Sequence, residues 1–146
     1  MPRHPLAGSS PPADLIIDVD ALLAAYHEGV PDPSVAGERV SFGTSGHRGS
    51  AFDTTFNEAH IVAVTEAVRR YRAGQGIDGP LFLGIDTHAL SAPAGRTALQ
   101  VLAAAGVDVM IAPASGAAGG FTPTPAVSHA ILTYNRGRTR GLADGI

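Results

Sequence analysis

The feature that most constrains the fold is a strand–helix–strand pattern in the middle of the chain. Two apolar runs, Leu81 to Ile85 and Val107 to Ile111, are predicted strands. Ser91 and Pro93 open a helix between them, and Gly106 ends that helix directly before the second strand. A strand, a crossover helix and a second strand form a βαβ unit, whose strands pair in parallel. The chain is therefore predicted to be an α/β protein.

Three further helices are predicted on either side of this unit. Asp14 is expected to cap a short first helix, and Asn57 a second helix that Gly74 closes. Thr124 and Pro125 are expected to cap and begin the last helix. Apolar residues at helical spacing mark the faces of the first, second and crossover helices: Leu15, Val19, Leu22, Leu23 and Tyr26; Ile61, Val64, Val68 and Tyr71; Ala98, Val101, Leu102 and Ala105.

Composition divides the chain into three parts. Residues 1–13 are rich in Pro, Ala, Gly and Ser and are predicted to form a flexible N-terminal arm. Residues 14–38 hold the first helix and a linker, and residues 39–146 hold the α/β domain. Leu142 to Ile146 is predicted to enter another strand, and a domain rarely ends on the first residues of a buried strand. We therefore expect the domain to be incomplete.

Composition also excludes several classes of chemistry. All ten basic residues are arginine and there is no cysteine, so a Walker phosphate loop, a Schiff-base lysine, a thiol nucleophile and a zinc finger are ruled out. A net charge of −3 gives no support for nucleic-acid binding. No apolar run approaches the roughly 18 residues of a membrane span, and the start lacks a secretory apolar block. We expect a cytoplasmic protein without a membrane partner.

The segment Gly43 to Gly49, with the sequence GTSGHRG, is the most informative stretch. Its regularly spaced glycines allow backbone N–H groups to converge on an anion. Thr44 and Ser45 add hydroxyl donors, and Arg48 offers a planar fork suited to phosphate oxygens. The glycine spacing differs from the dinucleotide fingerprint, and His47 stands where the hydrolase nucleophile elbow needs glycine. A plain glycine-rich turn with a solvated arginine fits the same residues.

Polar residues also follow the first predicted strand of the βαβ unit. Asp86, Thr87 and His88 lie where the carboxyl end of a parallel strand would reach a ligand. His88 could donate to a phosphate or exchange a proton, or the three residues could simply organise the turn. Phe121 to Pro125 leads into a helix N-terminus that is either a second anion contact or an ordinary cap. The histidines show no metal-ligand spacing.

Four segments, taken in order, carry a family resemblance. They are FGTSGHRGSAFDTTFNEAHI, DTHALSAPA, GVDVMIAPASGAAGGFTPTPAVSHAIL and GLADGI. Together they resemble the first domain of bacterial phosphoglucomutases, in the α-D-phosphohexomutase superfamily, from Asp14 onward. The resemblance implies a three-layer α/β/α domain with a mixed, partly parallel sheet, one of four domains around a deep cleft.

The resemblance also implies a reaction and a set of site residues. The family interconverts glucose 1-phosphate and glucose 6-phosphate through a phosphorylated serine, glucose 1,6-bisphosphate and one Mg²⁺. The Gly43 to Gly49 loop would lie near the phosphoserine, where a preset arginine fork can anchor phosphoryl charge. The phosphate- and substrate-binding residues implied in this chain are Thr44, Ser45, Gly46, His47, Arg48 and His88.

Departures from the family pattern limit what this chain is expected to do. In relatives, GLADGI continues into a TPSHNPP-type segment with the nucleophilic serine, which here would lie beyond Ile146. Ile85 stands where relatives usually carry a basic residue, and Ala92 where glutamate is common. We therefore expect no catalytic residue and no bound Mg²⁺ in this chain, and no mutase turnover by it alone. A non-catalytic sugar-phosphate-binding module, or a relic, is the alternative; a nucleotide-binding Rossmann unit fails on glycine spacing.

Overall fold

The computed structural model of the chain describes residues 5–113 and 120–146. Part of the third family-like segment, residues 114–119, therefore lies outside the described residues. The helices described are α1 (Val19–Glu28), α2 (Glu58–Gln75), α3 (Ser91–Ala104) and α4 (Thr124–Asn135). The strands are β1 (Phe42–Gly43), β2 (Gly46–His47), β3 (Leu81–Leu83), β4 (Val109–Ile111) and β5 (Asp144–Gly145). No helix in these ranges is both long and apolar enough to cross a membrane.

A three-stranded parallel sheet in the order β4-β3-β5 forms the centre of the fold. Leu81 pairs with Val109 on one side and with Asp144 on the other, which confirms the predicted βαβ unit and the strand entry near the end of the sequence. The pairing of β3 with the last segment extends further, because the Gly84 amide donates to the Ile146 carbonyl at 3.0 Å. Antiparallel pairing within the described ranges is confined to the separate β1–β2 hairpin.

Helices cover both faces of this sheet. On one face, Leu81 and Leu83 pack with Ala98 and Leu102 of α3 in a buried cluster, to which α2 contributes partly buried residues. On the other face, the edge of the Phe82 ring meets Tyr134 of α4, with ring centroids 6.0 Å apart. Side chains of a strand alternate between the two faces of a sheet, so β3 packs against helices on both faces. The chain is a three-layer α/β/α domain, as predicted.

A second buried cluster attaches α1 to the domain. Leu22 and Tyr26 of α1 pack against Ala51 and Leu90, which belong to the loops after β2 and β3. Tyr26 is fully buried, and its hydroxyl donates to the Thr97 hydroxyl of α3 at 3.2 Å. The loops that carry the candidate site residues therefore share one apolar anchor.

The first helix begins later than predicted. Asp18, not Asp14, is its N-cap, and the Asp18 carboxylate accepts from the Ala21 amide at 3.0 Å. Asp14 lies in a short 3₁₀ turn, Ala13–Leu15, and Ile16 after it is extended. That extended residue interrupts the helix, so Leu15 stays exposed instead of joining the apolar face.

Smaller differences concern helix ends and faces. Helix α2 ends at Gly76 instead of Gly74, because Gly76 adopts the left-handed conformation (φ 66°) that closes a helix. Thr124 is the first helical residue, not a cap, and Pro123 precedes it without a side-chain cap hydrogen bond. Tyr71 and Ala105 are exposed although their spacing placed them on apolar faces.

Candidate functional site

The glycine-rich segment folds as a tight β-hairpin. Phe42 pairs with His47 and Gly43 with Gly46, which leaves Thr44 and Ser45 as a two-residue turn. Gly46 has φ +111°, a conformation that residues with a side chain rarely adopt. This glycine therefore lets the chain reverse directly after the two hydroxyl residues, both of which are exposed.

The exit of the hairpin is pinned by a close backbone approach at Gly49. A Cβ at Gly49 would lie 2.6 Å from the Thr55 carbonyl carbon, closer than real Cβ contacts allow. The Ser50 amide donates to the Thr55 hydroxyl at 2.8 Å and closes the loop that follows. A side chain at position 49 would push the hairpin away from this loop.

Arg48 is the cation of the hairpin. Its side chain is exposed, and across residues 5–113 and 120–146 its guanidinium has no hydrogen-bond or ion-pair partner. Arg69 and Arg72, in contrast, are engaged by carboxylates of the chain. A guanidinium without an internal partner among the described residues can bind an anion without first breaking an internal contact.

His47 does not share this exposure, because its ring turns inward. The ring stacks on Phe56, with centroids 5.8 Å apart and planes at 13°, and on His60, at 5.0 Å and 23°. Its Nδ1 lies within hydrogen-bond distance of the Ser41 amide nitrogen (3.2 Å) and carbonyl oxygen (3.1 Å). Its Nε2 is buried and has no partner among the described residues. A direct phosphate contact by His47 stays a prediction.

Asp86 and His88 form an ordered turn after β3. The His88 amide donates to the Asp86 carboxylate at 3.0 Å, and the Ser91 hydroxyl donates to the same oxygen. The Ser91 hydrogen bond, helped by the His88 amide, lowers the pKa of Asp86 below its usual value. His88 is exposed, and its Nδ1 accepts from the Leu90 amide at 3.1 Å. Nε2 therefore carries the proton in the neutral ring and can donate to a ligand.

No hydrogen bond, ion pair or ring contact within the described ranges joins His88 to the hairpin. Ala51 and Leu90, which follow the two segments in the chain, pack in the same apolar cluster. A groove of about 800 Å³ lies at the carboxyl ends of β3 and β5, and its polar lining includes Asp86, Ser91 and Thr124. Neither His88 nor any residue from Gly43 to Gly49 lines this groove. The structure thus keeps the hairpin separate from the crevice of the sheet.

The residues that hold the hairpin were not predicted as part of the site. Asn57 was expected only to cap α2, yet it is fully buried, and its side-chain amide donates to the Gly29 carbonyl at 2.7 Å. His60 completes a capping box with Asn57 and stacks on His47. The one signal in the sequence was the Asn57–His60 spacing of a capping box, in which His60 takes the place of the usual Glu or Gln.

The side chains of the described residues offer no dedicated site for the Mg²⁺ of the full-length family. Within these residues no group of three or more His, Cys, Asp or Glu side chains could hold a metal ion. Mg²⁺ is commonly held by one or two carboxylates together with water and substrate phosphates. The exposed donors of the hairpin can bind and orient such a phosphate.

The chain is similar in sequence to known proteins over most of its length. The family model "Phosphoglucomutase/phosphomannomutase, alpha/beta/alpha domain I" matches residues 39–146. A phosphoglucomutase of Komagataeibacter xylinus is 56% identical over 142 residues, which cover 97% of this chain. The aligned region is 25% of that relative, so the chain spans about a quarter of the length of the curated protein it matches.

Proposed function

The chain belongs to the phosphoglucomutase/phosphomannomutase family through its α/β/α domain I, and on that premise we propose that it is the phosphate-recognising N-terminal domain of a phosphoglucomutase. The reaction it serves is the interconversion of glucose 1-phosphate and glucose 6-phosphate, by way of a phosphoserine and glucose 1,6-bisphosphate. The observation that carries the proposal is the 56% identity to a phosphoglucomutase over nearly the whole chain. A cytoplasmic location belongs to the same proposal.

The hairpin supplies the anion contacts in this proposal. Arg48 presents its fork to two phosphoryl oxygens, while Thr44, Ser45 and the Gly46 amide donate further hydrogen bonds. Phosphoryl transfer spreads charge over several oxygens, and donors held in place before the reaction stabilise that charge best. The exposure of Arg48 and its freedom from internal partners within the described residues support this role. His88 is proposed to donate from Nε2 to the same or a second phosphate.

Turnover is proposed to need polypeptide that this chain does not contain. The aligned region is a quarter of the relative, and the covalent relay requires a nucleophilic serine and a metal that neutralises charge. We expect the 146-residue chain to bind hexose phosphate weakly, at about millimolar concentration, because most sugar contacts are missing.

Titration calorimetry with glucose 1-phosphate tests the binding role directly. Arg48→Gln should remove the binding heat, because the fork is lost. Arg96→Gln is the matched control, since Arg96 is another exposed arginine of the described chain without an internal partner. Glucose without phosphate should give no heat. Equal heats from the Arg48 and Arg96 variants would show that the hairpin is not the phosphate site.

A chimaera separates a mutase domain from the alternative, a non-catalytic sugar-phosphate-binding module. This chain replaces the aligned region of the Komagataeibacter xylinus enzyme, and phosphoglucomutase activity is measured. We expect an active chimaera that loses about a hundredfold in kcat/KM on Arg48→Gln, the size of effect expected from removing one preorganised donor. An inactive but folded chimaera, together with phosphate binding by the parent chain, would favour the binding module.

A further inference from the structure

The β1–β2 hairpin lacks the usual means of stability. Each strand has two residues, and isolated hairpins are marginal in water even when longer. Phe42, its one large apolar side chain, is 64% exposed, so the hairpin does not rest on a core of its own. Some other contact must hold Thr44, Ser45 and Arg48 in one orientation.

His47 provides that contact, because it is the one hairpin residue whose ring packs against the domain. Nδ1 of His47 bonds the main chain of Ser41, directly before β1, and thereby closes the base of the hairpin. The ring face lies against His60 and Phe56 in a nearly parallel stack. Stacked rings of this kind have a defined distance and tilt, so the stack sets the direction in which the neighbouring Arg48 leaves the domain.

His60 is a rigid platform for the stack. It is only 2% exposed, and its Nε2 lies 2.7 Å from the Glu38 carbonyl oxygen. A carbonyl oxygen can only accept, so Nε2 carries a proton and donates to it. The Nδ1 edge of the His60 ring faces Asn57, and the backbone nitrogen of Asn57 lies 3.2 Å from Nδ1. Two segments of the fold therefore fix the His60 ring in both position and tilt.

The inward position of the His47 ring buries its Nε2, which reduces the stability of the folded state. Within the described residues it has no hydrogen-bond partner, and an unsatisfied buried nitrogen disfavours the folded state. A phenylalanine would stack without that penalty but could not bond Ser41. Histidine supplies both interactions, because its ring stacks and its Nδ1 bonds the main chain.

We infer that the His47–His60 stack positions the phosphate-binding hairpin, with both histidines acting through Arg48. The inference rests on the proposed function, since it assigns Arg48 the anion. It also assigns His60 a positioning role that its place on α2 does not suggest. Loss of the stack should leave the domain folded and the arginine present, but no longer held in the binding orientation.

The test uses the full chain, inorganic phosphate and glucose 1-phosphate as probes, and amide NMR of the hairpin. His60→Leu removes the ring and should weaken affinity for both probes about fivefold, the value of one aromatic contact. His60→Phe keeps a ring for stacking but, like His60→Leu, loses the bonds to Glu38 and Asn57. Both variants should therefore lose similar stability, while His60→Phe restores most of the affinity. A merely structural role for His60 predicts equal losses of affinity in the two variants, because affinity would then follow stability.

Substitutions at His47 keep the inference testable if His60 variants fail to fold. His47→Asn retains a group able to bond Ser41 but loses the stack, and His47→Phe retains the stack but loses the bond. Both should raise the mobility of the Thr44 and Ser45 amides without ligand, measured by heteronuclear relaxation. Leu102→Val, which weakens the other core cluster, should leave hairpin mobility and affinity unchanged.

The outcomes distinguish this inference from the proposed function. Wild-type affinity and a rigid hairpin in both His60→Leu and His47→Asn would overturn the positioning role. Failure of the wild-type chain to bind either probe, or binding unaffected by Arg48→Gln, would overturn the proposed function. In that case the relaxation of the hairpin amides still decides whether the stack holds the hairpin.

Discussion

The ion pair between Arg72 and Asp144 joins the last strand to α2, and its removal gives a sharp prediction. The Arg72 side chain is 5% exposed and contacts the Asp144 carboxylate, which is 32% exposed. Arg72 also donates to the Gly79 carbonyl. Burial removes water from the guanidinium and thereby lowers the pKa of Arg72 below its usual value.

Asp144→Asn keeps the shape of the side chain and leaves the buried guanidinium without its counter-charge. Breaking a buried pair in this way costs about 3–5 kcal/mol, and because Asp144 is partly solvated we expect about 2–3 kcal/mol. For a chain of this length that loss corresponds to a fall in Tm of roughly 5–10 °C. Urea unfolding followed by circular dichroism measures the free energy directly.

A double-mutant cycle with Arg72→Met isolates the interaction. The double variant contains no buried charge, so its free energy of unfolding should lie about 2 kcal/mol above the value expected from adding the two single losses. Arg96→Gln, at an exposed arginine without an internal partner among the described residues, is the control and should change the melt far less. Additivity of the two single effects within about 0.5 kcal/mol would refute the reasoning, because residues in contact must couple.

Three further predictions concern burial, acid stability and the hairpin exit. Tyr26→Phe should cost about 1 kcal/mol through the lost hydrogen bond to Thr97. Burial raises the pKa of Tyr26 from its usual 10.0, so wild-type stability should fall as pH rises through the raised value, and urea melts of Tyr26→Phe should lack that fall. Two neighbouring arginines lower the pKa of Glu66 from 4.5 to about 2. The stability that this shift contributes is present above pH 4.5 and is lost as pH falls toward 2. The free energy of unfolding of Glu66→Gln should therefore depend less on pH in this range than that of the wild type. The same pH dependence in both proteins would contradict the assignment. Gly49→Ala should cost at least about 2 kcal/mol because of overpacking, whereas Gly74→Ala, a helical site with open space around it, should gain about 0.5–1 kcal/mol in the same melts.

Much of the fold follows from local patterns that act over a few residues. Apolar runs separated by a helix and a turn predicted parallel pairing of Leu81 to Ile85 with Val107 to Ile111. The structure confirms that pairing for the shorter strands Leu81–Leu83 and Val109–Ile111. The Asn57 cap was predicted for the same reason, since a cap needs only the amides of the next turn. Asp14 was the wrong cap because two aspartates stand near the start of α1, and their spacing alone did not choose between them.

The candidate site was likewise predicted from the sequence only in part. The glycine spacing of the Gly43 to Gly49 segment predicted a turn with exposed donors, and Thr44, Ser45 and Arg48 are exposed. The direction of the His47 ring was not predictable, because it depends on Phe56 and His60, whose rings meet it only after α2 has packed.

By itself the sequence determined the parallel sheet, the Asn57 cap at the start of α2, and the presence of an exposed arginine near small hydroxyl residues in the chain. These are local consequences of side-chain shape and backbone freedom. Only the tertiary structure decided which histidine faces the solvent and which carboxylate meets Arg72. Those pairings join residues that lie far apart in the chain, and no sequence periodicity encodes them. They form only when burial of apolar faces brings separate helices and strands within a few ångströms of each other.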